Sequence, residues 1–118
     1  MAPVLLLAQS IAPADVEIAG DIEYGQTSPP IEYSAKPMYR ALVFTGMGGD
    51  RIEVTVRSDA GKPLVAIADG TLKQLASGAA KLTFELPDRG PDAEAYYILF
   101  RDAGGKNSTF TVVLKKVG

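Results

Sequence analysis

Apolar and polar side chains alternate along this chain with a period of two, and glycine or proline interrupts the alternation at short intervals. Four runs show the pattern cleanly. Val16, Ile18 and Ile22 share one face while Glu17, Asp21 and Glu23 take the other. Ile52, Val54 and Val56 oppose Arg51, Glu53, Thr55 and Arg57; Leu82, Phe84 and Leu86 oppose Lys81, Thr83 and Glu85. Phe110, Val112 and Leu114 oppose Thr109, Thr111 and Lys115, with Val113 as the apolar residue on the outer side. Period two with one polar face is the geometry of a half-buried antiparallel strand.

Two further runs, Tyr39-Arg40-Ala41-Leu42-Val43-Phe44 and Tyr96-Tyr97-Ile98-Leu99-Phe100, are largely apolar on both faces. They predict central strands, or strands whose outer face something else covers. Shorter strands are expected at Ile31 to Ser34 and Leu64 to Ala68. Between the runs lie Ser28-Pro29-Pro30, Gly46-Met47-Gly48-Gly49-Asp50, Asp59-Ala60-Gly61-Lys62-Pro63, Asp69-Gly70, Pro87-Asp88-Arg89-Gly90-Pro91 and Asp102-Ala103-Gly104-Gly105. Each carries turn chemistry: glycine supplies positive φ, proline presets φ, and aspartate bonds its own backbone. The best helical stretch, Thr71 to Ala76, is too short to stand alone and reads as a turn or a short strand. The fold class expected from these runs and turns is all-β: about eight antiparallel strands in a sandwich or barrel.

Composition removes several chemistries. The 118 residues suit one domain, and 47% apolar with 22% charged is the balance of a globular chain. There is no Cys and no His, so disulfides, thiolate metal sites and Ser-His or Cys-His catalysis are impossible within this chain. A net charge of −2 gives no reason to expect a nucleic-acid partner. No stretch approaches the roughly 20 apolar residues of a membrane-spanning helix. The N-terminal Pro3-Val4-Leu5-Leu6-Leu7-Ala8-Gln9-Ser10 reads either as the remnant of a secretory signal or as a first strand, so residues 1–15 are set apart from a domain over 16–118.

The order of these marks resembles the bacterial pre-peptidase C-terminal domain family. The marks are the Gly20-centred strand after Ile18, Tyr33, Tyr39 to Phe44, Gly49-Asp50 leading into Arg51 to Val56, and Leu64 to Ala68 with Asp69-Gly70. Leu82 to Pro87, Tyr96 to Phe100 and Phe110 to Leu114 complete the series, which spans about residues 16 to 117. The resemblance implies a jelly-roll-like sandwich in an extracytoplasmic (secreted or periplasmic) bacterial setting. Domains of this kind commonly adjoin exported peptidases; this chain carries no peptidase, which implies an excised module or a stand-alone exported protein. Some relatives bind calcium or matrix polymers, and neither property transfers without a matching ligand motif.

Four candidate sites follow from the residues. Acidic groups cluster at Asp15, Glu17, Asp21 and Glu23 and at Asp88, Asp92 and Glu94, with Asp50 and Asp102 in turns; none forms a calcium loop, and no metal or other cofactor is expected. Tyr24, Tyr33 and Tyr39 fall on or near early strands and could form an aromatic binding surface, or else fill a core that has no Trp. Glu53 and Glu85, beside Arg51 and Lys81, read as cross-strand charge pairs rather than catalytic acids. Gly46-Met47-Gly48-Gly49 lacks the ending of a phosphate loop and reads as a turn. The function expected is a non-catalytic accessory or binding module that engages protein or polysaccharide through a sheet face or end loops. The alternative is a structural or processing domain with no ligand of its own. The sequence sets no oligomeric state.

Overall fold

The computed structural model describes residues 10–117. Of the N-terminal run only Ser10 is among them, so both readings of Pro3 to Gln9 lie outside the described residues. Ten strands follow one 3-10 turn (Pro13–Asp15): β1 (Val16–Asp21), β2 (Gln26–Thr27), β3 (Ile31–Tyr33), β4 (Tyr39–Gly46), β5 (Arg51–Ser58), β6 (Pro63–Asp69), β7 (Gln74–Ala79), β8 (Lys81–Glu85), β9 (Glu94–Asp102) and β10 (Ser108–Lys116). They form two sheets. One has the order β1-β4-β9-β6-β7; the other has the order β2-β10-β5-β8, with β3 also paired to β10. This is the sandwich expected from the alternation, jelly-roll-like as the resemblance implies.

The alternation becomes burial. Ile52, Val54 and Val56 point inward, as do Phe110, Val112 and Leu114, and β10 pairs β5 with Val112 opposite Val56. They meet Leu42 and Phe44 of β4, Val65 and Ile67 of β6, and Tyr96, Ile98 and Phe100 of β9 in one core between the sheets. Aromatic rings knit its centre: Phe110 lies 5.1 Å from Tyr33 and 5.2 Å from Phe100, centroid to centroid. The runs apolar on both faces are the central strands of the first sheet, β4 and β9, paired with each other. Lys81 Nζ sits 3.7 Å from Glu53, and Arg51 pairs in register with Glu85, so those charges do cross between strands.

The differences have local causes. Among the described residues the strands number ten, against the expected eight or so. Pro29-Pro30 splits the stretch facing β10 into β2 and β3, and Gln74–Ala79 turns back on β6 as β7. The sandwich is not wholly antiparallel, since β1 runs parallel to β4. Ile18 was expected on the same face as Ile22, but the register shifts between Ile18 and Gly20. That irregularity reverses the pleat. Ile22 enters the core, Val16 packs on the outer face of the sheet, and Ile18 is left 55% exposed.

That outer face carries a second, smaller cluster of Ala41, Ala66, Ala68, Leu72 and Leu99. The Ile11 N–H donates to the Leu72 carbonyl at 2.9 Å, and Ile11, Val16, Tyr39 and Tyr97 pack over the cluster. From Ile11, beside the β6–β7 turn, the chain must cross to β1 at the other edge of the sheet. The alanines beneath it keep the face low enough for that approach.

Candidate functional site

Three aspartates hold the loops at the two ends of the sandwich. Asp50 Oδ2 accepts the Met47 N–H at 2.9 Å and the Tyr24 hydroxyl at 2.8 Å, while Lys116 sits 3.3 Å from Oδ1. Asp69 Oδ1 accepts the Thr71 N–H, the Thr71 hydroxyl and the Lys73 N–H. Asp102 accepts the N–H groups of Lys62, Gly104 and Lys106, tying the β5–β6 turn to the β9–β10 loop. All three carboxyls lie below the ordinary carboxylate range. The Met47 N–H leads at Asp50, against partial burial and with help from Tyr24 and Lys116. Burial raises Asp69, but Thr71, Lys73 and Arg89 outweigh it; the Lys106 N–H leads at Asp102.

The three tyrosines are placed apart, each lining a different depression. Tyr33 is 4% exposed, packs in the core and donates to the Met38 carbonyl at 2.7 Å. Tyr24, half-buried, lies beside Phe44 and borders an open trough of about 820 Å³ with Asp21, Glu23 and Gln26. Tyr39 lies on the outer face of the first sheet under the Arg101 guanidinium, 5.9 Å from the ring centre. They share no single platform. Among the described residues no three carboxylates converge to hold a metal ion.

The trough at Tyr24 is the larger depression, and among the described residues it holds no buried polar side chain without a partner: Tyr24 donates to Asp50, and Gln26 Oε1 accepts the Glu23 N–H at 2.9 Å. A second depression, about 620 Å³, lies at the opposite end of the sandwich and contains unmatched chemistry. Its floor holds Arg40, on β4, only 5% exposed. Arg40 Nη1 donates to the Pro37 carbonyl at 2.8 Å and Nη2 to Ser34 Oγ at 3.2 Å, while the guanidinium stacks 5.4 Å over the Tyr33 ring. The Nε–H is different. Glu17 Oε1 stands 3.2 Å away, near enough for charge pairing but misaligned for a hydrogen bond. Among the described residues it is the one buried side-chain polar group with no hydrogen-bond partner. Such a group costs free energy unless an acceptor reaches it.

Around Arg40 stand the carboxylates of Glu17, Glu32 and Asp59, the Asn107 amide and the hydroxyls of Ser34 and Ser108. Asp59 is fixed, since Oδ1 accepts the Thr109 N–H at 2.8 Å. Glu17, with a side chain 60% exposed, has Arg40 as its charged neighbour. Sequence reasoning read Arg40 only as one member of an apolar strand. The available signal was a single cation inside a run of buried residues, a position where arginine is rare unless paired.

The described residues thus form a two-layer sandwich of ten strands with polar depressions at the strand ends. Its fold is shared with the pre-peptidase C-terminal domain of a collagenase from Bacillus anthracis, with a TM-score of 0.65 and 12% identity over 84% of this chain and 95% of that one. The expected resemblance therefore holds in the fold. A periplasmic inhibitor of g-type lysozyme from Aeromonas hydrophila is also similar, with a TM-score of 0.59 and 8% identity over 85% of this chain and 97% of that one. No protein-family profile and no curated protein matches the sequence.

Proposed function

We propose that this domain is a non-catalytic accessory module of an exported bacterial protein, engaging polysaccharide or protein through the loops at one end. The observation that carries the reading is the Arg40 depression: a buried, incompletely bonded guanidinium under a rim of hydrogen-bonding groups. Two further points support it. The chain has no imidazole or thiol, and its most perturbed carboxyls are held ionised by backbone donors, the reverse of a general acid's requirement. The similar solved structures are a collagenase's terminal domain and a periplasmic inhibitor, both consistent with work outside the cytoplasm.

The test is co-sedimentation of the purified domain with insoluble cellulose, chitin and collagen fibrils. Retention on at least one matrix is expected. A second reading, a structural domain with no ligand, is favoured by the scattering of exposed large apolar side chains, which are Ile18, Met38 and Met47. Recovery of the whole sample in the supernatant from all three matrices would leave that second reading standing.

A further inference from the structure

We propose that the Arg40 depression is a saccharide subsite, in which one sugar hydroxyl accepts from Arg40 Nε–H and donates to Glu17. This rests on the binding-module reading above and names its ligand and residues. The argument is one of donor and acceptor inventory. Guanidinium can only donate, and an ionised carboxylate can only accept. Here a donor without a bonded partner and a misaligned acceptor lie 3.2 Å apart. A hydroxyl is both donor and acceptor. Placed between them it completes both bonds once Glu17, whose side chain is 60% exposed, turns aside to admit it.

Other ligand classes fit less well. An anion would satisfy Arg40 but would face the carboxylates of Glu17, Glu32 and Asp59. A metal ion would need converging oxygens, which the described residues do not provide. A lysine or arginine side chain from a partner would pair with those carboxylates, yet it would leave the Arg40 Nε–H unsatisfied and bring a like charge toward it. A sugar ring presents several hydroxyls in fixed directions. On the rim the Asn107 amide offers both donors and an acceptor for the others, and Ser108 Oγ, which donates to the Lys106 carbonyl, keeps acceptor capacity. The volume, about 620 Å³, is within the range of small-ligand sites.

The test uses the whole chain labelled with nitrogen-15, in which the Nε–H of a buried arginine gives its own cross-peak. Maltotriose, cellotriose and chitotriose are titrated separately, with glycerol at matched hydroxyl concentration and L-argininamide as controls. The expected result is a saturable shift of the Arg40 Nε–H peak by a trisaccharide, with backbone shifts at Glu32 to Ser34 and Asn107 to Thr109. Glu17→Ala, at an exposed side chain whose loss leaves the core untouched, should weaken that binding about five- to tenfold. Asn107→Ala should weaken it less. Saturation by L-argininamide alone, equal shifts with glycerol, or no saturable shift at Arg40 with any trisaccharide each overturn the inference. Should the domain still sediment with a polysaccharide while its shifts map elsewhere, the binding-module reading survives and the Arg40 subsite does not.

Discussion

The Tyr24 hydroxyl donates to Asp50 Oδ2 at 2.8 Å, joining the turn after β1 to the turn between β4 and β5 across 26 residues of chain. Asp50 also accepts from Met47, and Lys116 at the end of β10 approaches its other oxygen, so one carboxylate links three segments at this end of the sandwich. Tyr24→Phe keeps the ring against Phe44 and removes only the donor. The expected loss is about 1–2 kcal/mol, because the acceptor is charged but keeps its other partners. A fall in melting temperature of several degrees, with Met47→Ala nearly silent, is the result to look for.

Stability should fall at both extremes of pH. The lowered carboxyls of Asp50, Asp69 and Asp102 favour folding above the unfolded value of about 3.9, and that contribution drains away as pH drops through their folded values. Burial pushes the Tyr24 hydroxyl up, with the Asp50 hydrogen bond and charge adding to it; burial also raises Tyr96, helped by Glu94. Folded tyrosine then keeps a proton that the unfolded chain releases, so stability declines as pH rises beyond about 10. With no His in the sequence, urea midpoints should be flat between about pH 5 and 9. A steep change near pH 6.5 would contradict this account.

The two-residue rhythm makes the core legible in the sequence itself: every inward residue of Ile52 to Val56 and Phe110 to Leu114 is buried. What it could not carry was register. The Ile18/Gly20 irregularity moves one strand half a pleat, and no local preference says that β1 should lie parallel to β4. The candidate site was legible only in fragments for the same reason. Glu17, Arg40, Asp59 and Asn107 are scattered through the chain and meet because strand ends meet. The tyrosines were visible as a group in sequence, yet Tyr33 turns into the core while Tyr39 turns outward.

Gly61 and Gly49 make a matched pair for testing the Asp102 anchor. Both have positive φ, +77° and +87°, so alanine at either costs about 1–2 kcal/mol in backbone conformation. At Gly49 an added methyl meets nothing within 4 Å. At Gly61 it would strike the Asp102 carboxylate, which must move off the N–H groups it holds. Gly61→Ala should therefore lower the melting temperature clearly more than Gly49→Ala. Equal effects would mean that the carboxylate yields without cost.

Phe110 reports on the core. It is fully buried, touches rings from both sheets and sits on the strand that pairs with β3 and β5. Phe110→Ala leaves a cavity that rigid sheets cannot close, and about 3–5 kcal/mol should be lost in a urea titration. Phe110→Leu, which refills much of the volume, should recover more than half of that.

Ser28 repairs a ladder that proline breaks. β2 ends at Thr27 and β3 begins at Ile31, both paired to β10, and Pro29-Pro30 between them can donate no backbone hydrogen bond. The Ser28 N–H still donates to the Val112 carbonyl at 2.7 Å. The reciprocal bond comes from the side chain: the Val112 N–H donates to Ser28 Oγ at 2.9 Å, and that hydroxyl donates in turn to the Pro29 carbonyl. Ser28 is 7% exposed, so water has little access to take its place. Ser28→Ala leaves the Val112 N–H buried without an acceptor and should cost about 1–3 kcal/mol. Threonine keeps the oxygen and should restore most of that stability. Hydrogen exchange at the Val112 amide separates this account from a packing defect: in Ser28→Ala that amide should lose more protection than its neighbours Thr111 and Val113, whereas simple loosening of β10 would accelerate all three together.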